Sequence, residues 1–306
     1  MGRKAVIDIG TNSIKFILAE MGKEGQFKAV MDKNSIAQLG EGLKETGKIN
    51  PEAMERNCAA IKEFADIAKM EGADEIFAIG TMALRKASNT SDFVKMVKNK
   101  AGIEIRVIPG DEEARYSYLA VVSGIDLGQG KLAIIDTGGG STEFVFGEGD
   151  RLDKRFSLEL GAIRITEEFL KADPVSAEGV VSAEKSIDKF LADNGVNSKV
   201  DKLVGMGGGI TSMASVMFKM VEYDPDRVQG CSLSLAEVEK QIAMYSKKTI
   251  EQRRSIVGLQ PKRADTILAS ALIVKGIMLR LAVDGLTVSD RGLRHGLLYD
   301  VGKGNR

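Results

Sequence analysis

The 306-residue sequence contains a single histidine, His295, and only two cysteines, Cys58 and Cys231. These counts are too low for a zinc site made of Cys and His ligands within one chain, and they exclude a metal hydrolase that uses several histidines. Two cysteines this far apart in the sequence favour reduced thiols, which are typical of the cytoplasm. We therefore expect a cytoplasmic protein.

An excess of charge of one sign and a long apolar run are also missing. The 43 Lys and Arg residues balance 43 Asp and Glu residues, so no overall positive field attracts the protein to nucleic acid or to an anionic membrane. Asp8 interrupts the apolar run that a signal peptide needs, and Lys275 and Arg280 interrupt the most apolar late stretch, residues 267–283. We predict no nucleic-acid partner and no membrane span, and any anion-binding site has to be built locally.

The residues that are present predict an α/β fold. Hydrophobic residues make up 43% of the chain, which is enough to bury a substantial core. A strand-like alternation over residues 4–20 is followed by alternating helical and strand-like segments. Among the helices we expect one from Asp111 to about Val122, one from Thr211, and a long one from Arg263 to about Val283.

The opening of the chain recurs in its second half. When residues 6–20 are set over residues 134–148, Asp8 aligns with Asp136, and a glycine, a serine and a phenylalanine after each aspartate align as well. A strand that ends in Asp-x-Gly, a turn of small residues and a second strand thus occur twice.

This repeat predicts two related α/β domains. The Gly-rich, polar stretch near residues 123–131 suits a junction. We place the domains at residues 1–126 and 127–306, with the last helix free to pack back on the first domain.

The two repeated turns have the chemistry of phosphate loops. Turns rich in Gly, Ser, Thr and Asn leave backbone N–H groups free to bind a phosphate. Asp8 and Asp136 would repel that anion unless a divalent cation lay between, so phosphate with Mg²⁺ is the coherent interpretation. The alternative is that each aspartate merely caps a turn.

The sequence has no Walker A loop and no Gly-x-Gly-x-x-Gly after a strand, and the glycine run at Gly205–Gly209 is either a third anion loop or a tight structural turn.

Charged residues follow two other predicted strands. Asp111, Glu112 and Glu113 begin a helix, where carboxylates stabilise the positive end of the helix dipole. The same position would let a carboxylate reach an interdomain cleft, with Arg115 nearby to counter substrate charge. Arg85 also follows a strand end, where α/β domains place ligand-binding residues.

Eight segments, in order from residue 4 to about residue 300, together resemble the exopolyphosphatase/guanosine pentaphosphate phosphohydrolase (Ppx/GppA) family. These segments are VIDIGTNSIKF, GTMALRKASN, IPGDEEARYSYLAV, IIDTGGGSTEFVFG, SLELGAIRITEEF, GMGGGITSMA, KRADTILASALIV and TVSDRGLRHGLLYD. The resemblance implies two ribonuclease-H-like domains of the actin, sugar kinase and Hsp70 superfamily with an interdomain cleft, in agreement with the internal repeat.

The resemblance also assigns roles. Glu113 would be the catalytic carboxylate that orients or deprotonates the attacking water. Asp136 and Glu143 would support catalysis and hold Mg²⁺, or alternatively Mn²⁺, together with Asp8. The residues implied to bind phosphate are Asn12, Ser13, Arg85, Gly138, Gly139, Gly140, Ser141, Gly208 and Arg263.

The sequence departs from the family at a few positions. Ala162 stands where some members have a phosphate-contacting cysteine, and His295 stands where many have glutamate, so we assign His295 no role. The chain ends at residue 306 with one histidine, so we expect the short two-domain form, which lacks a C-terminal histidine- and aspartate-rich domain.

The expected function is metal-dependent release of orthophosphate from the end of inorganic polyphosphate, from guanosine pentaphosphate, or from both. The resemblance also suggests a homodimer. Two alternatives stay open, an ATP-dependent kinase of the same superfamily and a non-catalytic sensor of polyphosphate or an alarmone.

Overall fold

The apolar alternation at the start of the chain forms an antiparallel meander of three strands, β1 (Arg3–Ile9), β2 (Ser13–Met21) and β3 (Phe27–Ile36). The structure, a computed structural model, describes residues 2–11, 13–23, 25–125, 128–148 and 151–304. Along β1 and β2 the residues facing the helices are almost fully buried, as expected for the centre of a covered sheet.

The chain divides into two compact units, Met1–Ser123 with Gly292–Arg306 (unit 1) and Gly124–Arg291 (unit 2). The predicted boundary between residues 126 and 127 lies outside the described residues, so that position stays a prediction.

Unit 1 orders its sheet as β3-β2-β1-β4-β5, in which β1, β4 and β5 run parallel. Its further strands are β4 (Ala73–Gly80) and β5 (Ile105–Val107), and its helices before the crossing to unit 2 are α1 (Leu43–Thr46), α2 (Pro51–Met70), α3 (Met82–Lys86), α4 (Thr90–Ala101) and α5 (Gly110–Val122). The side chain of Asn50 caps α2 by accepting from the N–H of Ala53, and Pro51 suits the first helical position.

Unit 2 repeats this order and adds one strand. Its strands are β6 (Lys131–Thr137), β7 (Thr142–Glu148), β8 (Arg151–Leu158), β9 (Lys202–Met206), β10 (Ser232–Ser234) and β11 (Gly285–Val288), and the sheet runs β10-β11-β9-β6-β7-β8. Its helices are α6 (Ala162–Phe169), α7 (Ala177–Asp193), α8 (Gly208–Met217), α9 (Pro225–Val228), α10 (Leu235–Ser246), α11 (Ile250–Arg254) and α12 (Ile267–Arg280). The predicted pair of ribonuclease-H-like sheets is confirmed.

The closing helix, α13 (Leu293–Gly302), belongs to unit 1, where it packs against α5 and β1. Its apolar face lies with Val6, Ile17 and Ile79 in a cluster on one side of the sheet. A second cluster with α2 and α4 covers the other side.

Two predicted helices in unit 2 begin elsewhere than expected. α8 starts at Gly208 instead of Thr211, so two glycines of the run form its first turn. The helix predicted from Arg263 is broken, because Pro261 begins a short 3-10 turn, Pro261–Arg263, and the α-helix starts only at Ile267. Arg263 therefore lies on a turn before the helix.

α12 is the buried helix that its apolar sequence predicts. Ten of its fourteen residues are buried, in the core of unit 2. Its Lys275 binds Glu184, and its Arg280 binds Asp188, both on α7. In the described part of the chain, no helix is both long and apolar enough to cross a bilayer.

Replacing Leu272 by Ala should destabilise the protein by about 2–5 kcal/mol, because the side chain is 1% exposed and its loss leaves a cavity. Leu279 on the same helix is 56% exposed, and Leu279→Ala should change the free energy of unfolding by no more than about 0.5 kcal/mol. Urea unfolding measures both. Equal destabilisation by the two changes would contradict the placement of α12.

Candidate active site

One turn geometry closes the first hairpin of both units. In unit 1 the N–H of Gly10 donates to the carbonyl of Ser13 (3.1 Å), and in unit 2 the N–H of Gly138 donates to the carbonyl of Ser141 (2.9 Å). The internal repeat is therefore a repeated backbone structure. Asn12, which lies between Gly10 and Ser13, is outside the described residues.

The residues opposite the two aspartates differ between the units. Asp136 pairs in register with Glu143 across β6 and β7, whereas Asp8 pairs with Lys15 across β1 and β2. Lys15 is a candidate phosphate-binding residue that the sequence analysis missed. The repeat carried its signal, since Lys15 aligns with Glu143.

The peptide groups of the turn in unit 2 are held by the start of α6. The N–H groups of Ala162 and Ile163 donate to the carbonyls of Gly138 (3.1 Å) and Gly139 (2.9 Å). Because a trans peptide points its C=O and its N–H in opposite directions, the N–H groups of Gly139 and Gly140 face away from α6. Neither donates to any residue that the structure describes. Two adjacent free N–H groups can bind a phosphate oxygen.

Glycine at position 161 permits this contact. A Cβ on Gly161 would collide with the carbonyl of Gly139. The role of Gly161 could not be predicted from the sequence, because it depends on a contact with a residue 22 positions earlier.

Glu143 is an exposed carboxylate that two hydroxyl groups orient. Its Oε1 accepts from Ser141 Oγ (2.6 Å) and from Ser157 Oγ (2.9 Å). Asp136 is also exposed, on the neighbouring strand. The end of β6 and the start of β7 therefore present two carboxylates beside the free N–H groups of Gly139 and Gly140.

The glycines at the start of α8 allow side chains from three other segments to approach its backbone closely. Gly207 has φ +94, and a Cβ there would meet Oδ1 of Asp136 at 2.6 Å. A Cβ on Gly208 would overlap the guanidinium of Arg263, and one on Gly209 would meet Oγ of Ser270 on α12 at 2.7 Å. The predicted residues Gly208 and Arg263 thus lie together.

Arg263 is a half-buried cation without an anionic partner. Its side chain has no ion pair or hydrogen bond with any described residue, and its Nε is buried without a partner. Burial lowers the pKa of the guanidinium, while nearby Tyr223 opposes that shift. A guanidinium over the first turn of a ten-residue helix favours an anionic ligand.

In unit 1 Glu113 and Arg85 form an ion pair, with Oε2 and Nη1 separated by 2.6 Å. Arg85 Nη1 also donates to the carbonyl of Ile108 (3.0 Å), which fixes the arginine against the strand end before α5. The preceding Glu112 has different partners, since its Oε1 accepts from Tyr116 and Arg106. The structure therefore gives the adjacent carboxylates of Glu112 and Glu113 different partners.

Asp8 lies close enough to Glu113 for their charges to interact. Burial raises the pKa of the Asp8 carboxyl, Lys15 and Arg294 oppose this rise, and Glu113 adds to it. A nearby cation would stabilise the charged form of such a carboxylate.

The suggestion that Arg115 counters substrate charge is wrong for this structure. Its two Nη atoms bind both oxygens of Asp300 on α13 at 2.8 and 2.6 Å. The partner lies 185 residues away in the chain, which the local sequence did not reveal. His295 has a structural role, since its Nδ1 accepts from the N–H of Gly292 at the start of α13.

A model of the Ppx/GppA phosphatase family matches residues 17–303. The chain belongs to the Ppx/GppA phosphatase family. The predicted resemblance is thereby confirmed, and the fold agrees with a solved Ppx/GppA structure from Aquifex aeolicus. That structure has a TM-score of 0.90 and 33% sequence identity, over 100% of this chain and 99% of that one.

Three relatives show how the family varies. Exopolyphosphatase 2 of Mycobacterium tuberculosis is 30% identical over 315 residues, which cover 96% of this chain and 97% of that protein. A bifunctional 3-dehydroquinate synthase/phosphatase of Fusobacterium nucleatum is 32% identical over 298 residues, and the match spans 94% of this chain but 45% of that protein. The guanosine-5'-triphosphate,3'-diphosphate pyrophosphatase of Photobacterium profundum is 28% identical over 303 residues, with 97% of this chain and 59% of that protein covered.

The residues of this Ppx/GppA chain fit a metal ion that is held jointly by the protein and the substrate better than one held by protein ligands alone. Within the described ranges, no group of three or more His, Cys, Asp or Glu side chains could hold an ion. Asp136 and Glu143 supply two neighbouring carboxylates. Mg²⁺ is typically held by one or two carboxylates, with water and substrate phosphate oxygens as its other ligands, so the pair suits an ion that arrives with the substrate.

Replacing Asp8 by Asn should raise the unfolding temperature at pH 7 and lower activity. A carboxyl whose pKa is raised in the folded state destabilises the fold increasingly as pH rises from its unfolded pKa through its folded pKa. The gain should therefore vanish below about pH 4, where Asp is protonated in both states.

Asp66 serves as the control, because Lys62 lowers the pKa of that exposed carboxyl. Asp66→Asn should bring no gain at pH 7. Thermal unfolding between pH 3 and pH 8 measures both variants, and a gain in Asp8→Asn that does not change with pH would contradict the burial argument.

Proposed function

We propose that the protein is a metal-dependent phosphohydrolase that releases orthophosphate from the end of inorganic polyphosphate, from guanosine pentaphosphate, or from both. The observation that carries the proposal is the pair of free N–H groups at Gly139 and Gly140, next to the carboxylates of Asp136 and Glu143. Such a combination suits a phosphoryl group that comes with a divalent cation.

In unit 2 the chain's own groups bind and orient the phosphates. The N–H groups of Gly139 and Gly140 bind the terminal phosphoryl group. Two groups that the family resemblance also assigned to phosphate are used within the loop instead, since the N–H of Gly138 donates to the carbonyl of Ser141 and the hydroxyl of Ser141 donates to Glu143. Arg263, over Gly208 at the start of α8, binds a phosphate further along the substrate. The missing anionic partner of Arg263 supports this role, since a buried cation without a partner is costly.

Asp136 and Glu143 would hold Mg²⁺ or Mn²⁺, with Asp8 as a further ligand. The ion would supply positive charge that offsets the developing charge on the phosphoryl oxygens. The hydroxyls of Ser141 and Ser157 fix the Glu143 carboxylate for this task.

In unit 1 Glu113 orients the attacking water and takes its proton. The water oxygen forms a new bond to the terminal phosphorus, the bridging P–O bond breaks, and the electron pair of that bond leaves with the shortened chain. Arg85 holds Glu113 through the 2.6 Å ion pair. Asn12 and Ser13 assist in binding phosphate, and Lys15, opposite Asp8, joins them.

Both candidate substrates end in the same phosphoanhydride group, so these residues serve either leaving group. The relatives from Mycobacterium tuberculosis and Photobacterium profundum bear the names of the two activities. The contact between Arg263 and Gly208 supports a hydrolase over a kinase, because the guanidinium lies where the kinase alternative needs a nucleoside pocket. The homodimer and the cytoplasmic location stay predictions.

Replacing Glu113 by Gln should lower kcat by about 10²- to 10⁴-fold, the usual contribution of a general base, with little change in KM. Glu112→Gln is the matched control, since Glu112 is the adjacent carboxylate on the same helix and binds Arg106 and Tyr116 instead. Steady-state orthophosphate release from polyphosphate with Mg²⁺ measures both. Near-normal turnover by Glu113→Gln, or equal losses in both variants, would refute the role of Glu113.

A further inference from the structure

Arg253, on α11, is a buried arginine that the proposed chemistry does not use. It is 2% exposed, its Nε donates to the carbonyl of Tyr245 (2.8 Å), and its Nη1 donates to the carbonyl of Ala264 (3.3 Å). Its Nη2 is buried without a hydrogen-bond partner, and no carboxylate in the described ranges forms an ion pair with it. Burial lowers its pKa. Asp173 and Tyr245 oppose this shift, but a buried guanidinium that lacks an ion pair costs stability.

The two carbonyls that Arg253 binds belong to different segments of unit 2. Ala264 directly follows the 3-10 turn that carries Arg263. Tyr245 lies in the last turn of α10. A single rigid guanidinium thus connects the backbone beside Arg263 to a neighbouring helix, and its planar shape fixes the directions of both hydrogen bonds.

From Tyr245 a buried chain of hydrogen bonds continues to α8. The phenol of Tyr245 donates to Oε1 of Gln241 (2.8 Å), and Nε2 of Gln241 donates to the carbonyl of Met213 (3.0 Å). Tyr245 is 0% and Gln241 is 1% exposed. Arg253, Tyr245 and Gln241 therefore link the turn beside Arg263 to the helix whose first residue is Gly208.

The segment between Arg253 and Arg263 also touches α8 directly. Gly258, with φ +93, lies so close to Ser215 that a Cβ would collide with the serine carbonyl. The segment that ends in the 3-10 turn of Arg263 is consequently fixed to α8 at three places. These are Ser215, Met213 through the hydrogen bond from Gln241, and Gly208 through the guanidinium of Arg263. A small displacement of the segment between Arg253 and Arg263 would therefore move the guanidinium of Arg263 relative to the first turn of α8.

We propose that Arg253 is a positioning residue for Arg263. By holding the carbonyl of Ala264 and, through Tyr245 and Gln241, the body of α8, it sets the position of the Arg263 guanidinium over Gly208. This inference rests on the proposed function, in which Arg263 binds a substrate phosphate. Arg253 itself does not touch the substrate.

Replacing Arg253 by Met should raise KM for long-chain polyphosphate about tenfold, equivalent to about 1.4 kcal/mol of binding, with kcat changed less than about twofold. Arg254→Met is the control, because it removes the same charge from an exposed neighbour that pairs with Glu251. Arg254→Met should leave KM unchanged. Tyr245→Phe, which removes only the phenol hydroxyl, should raise KM in the same direction by a smaller factor and keeps the test available if Arg253→Met does not fold.

A double-mutant cycle with Arg263→Ala separates positioning from a general structural role. If Arg253 acts through Arg263, then Arg253→Met adds no further rise in KM to Arg263→Ala, although each single change raises it. Independent, multiplying effects, or a fall in kcat with KM unchanged, would overturn the inference. A normal KM in Arg263→Ala would instead refute the phosphate-binding role of Arg263 and the inference with it, while the role of Glu113 would stand.

Discussion

The orientation of two peptide bonds determines what unit 2 can bind. Ala162 and Ile163, at the start of α6, hold the carbonyls of Gly138 and Gly139, and this turns the following N–H groups to the opposite side of the loop. The contact is possible only because residue 161 has no side chain. The carboxylates of Asp136 and Glu143 lie beside these N–H groups. A phosphate with a divalent cation suits both, because the phosphate oxygens accept from the N–H groups and the carboxylates bind the cation.

The two units share a backbone turn but differ in charge. Asp136 faces Glu143, an arrangement for a cation, whereas Asp8 faces Lys15, which already carries positive charge. Burial of Asp8 and the nearby Arg294 strengthen this difference. A chain with no net charge thus obtains positive charge for a polyanion locally, from free N–H groups, from selected cations and, in the proposed function, from the metal that the substrate brings.

Much of this was accessible from the sequence. The repeat predicted both turns, and the family resemblance predicted the fold. The resemblance also assigned separate roles to four residues that the structure places in contact, Glu113 with Arg85 and Gly208 with Arg263. Long-range contacts were not accessible, because nothing local in the sequence indicates that Arg115 binds Asp300. The proline at position 261 could have warned that the helix predicted from Arg263 would begin later.

Release of orthophosphate with Mg²⁺, compared between long-chain polyphosphate, guanosine pentaphosphate and ATP at equal concentration with an EDTA control, tests the central claim most directly. We expect release from polyphosphate, from guanosine pentaphosphate or from both, abolished by EDTA and faster than any release from ATP. Release unaffected by EDTA would contradict the metal-binding role of Asp136 and Glu143. No release from any of the three would contradict the hydrolase itself.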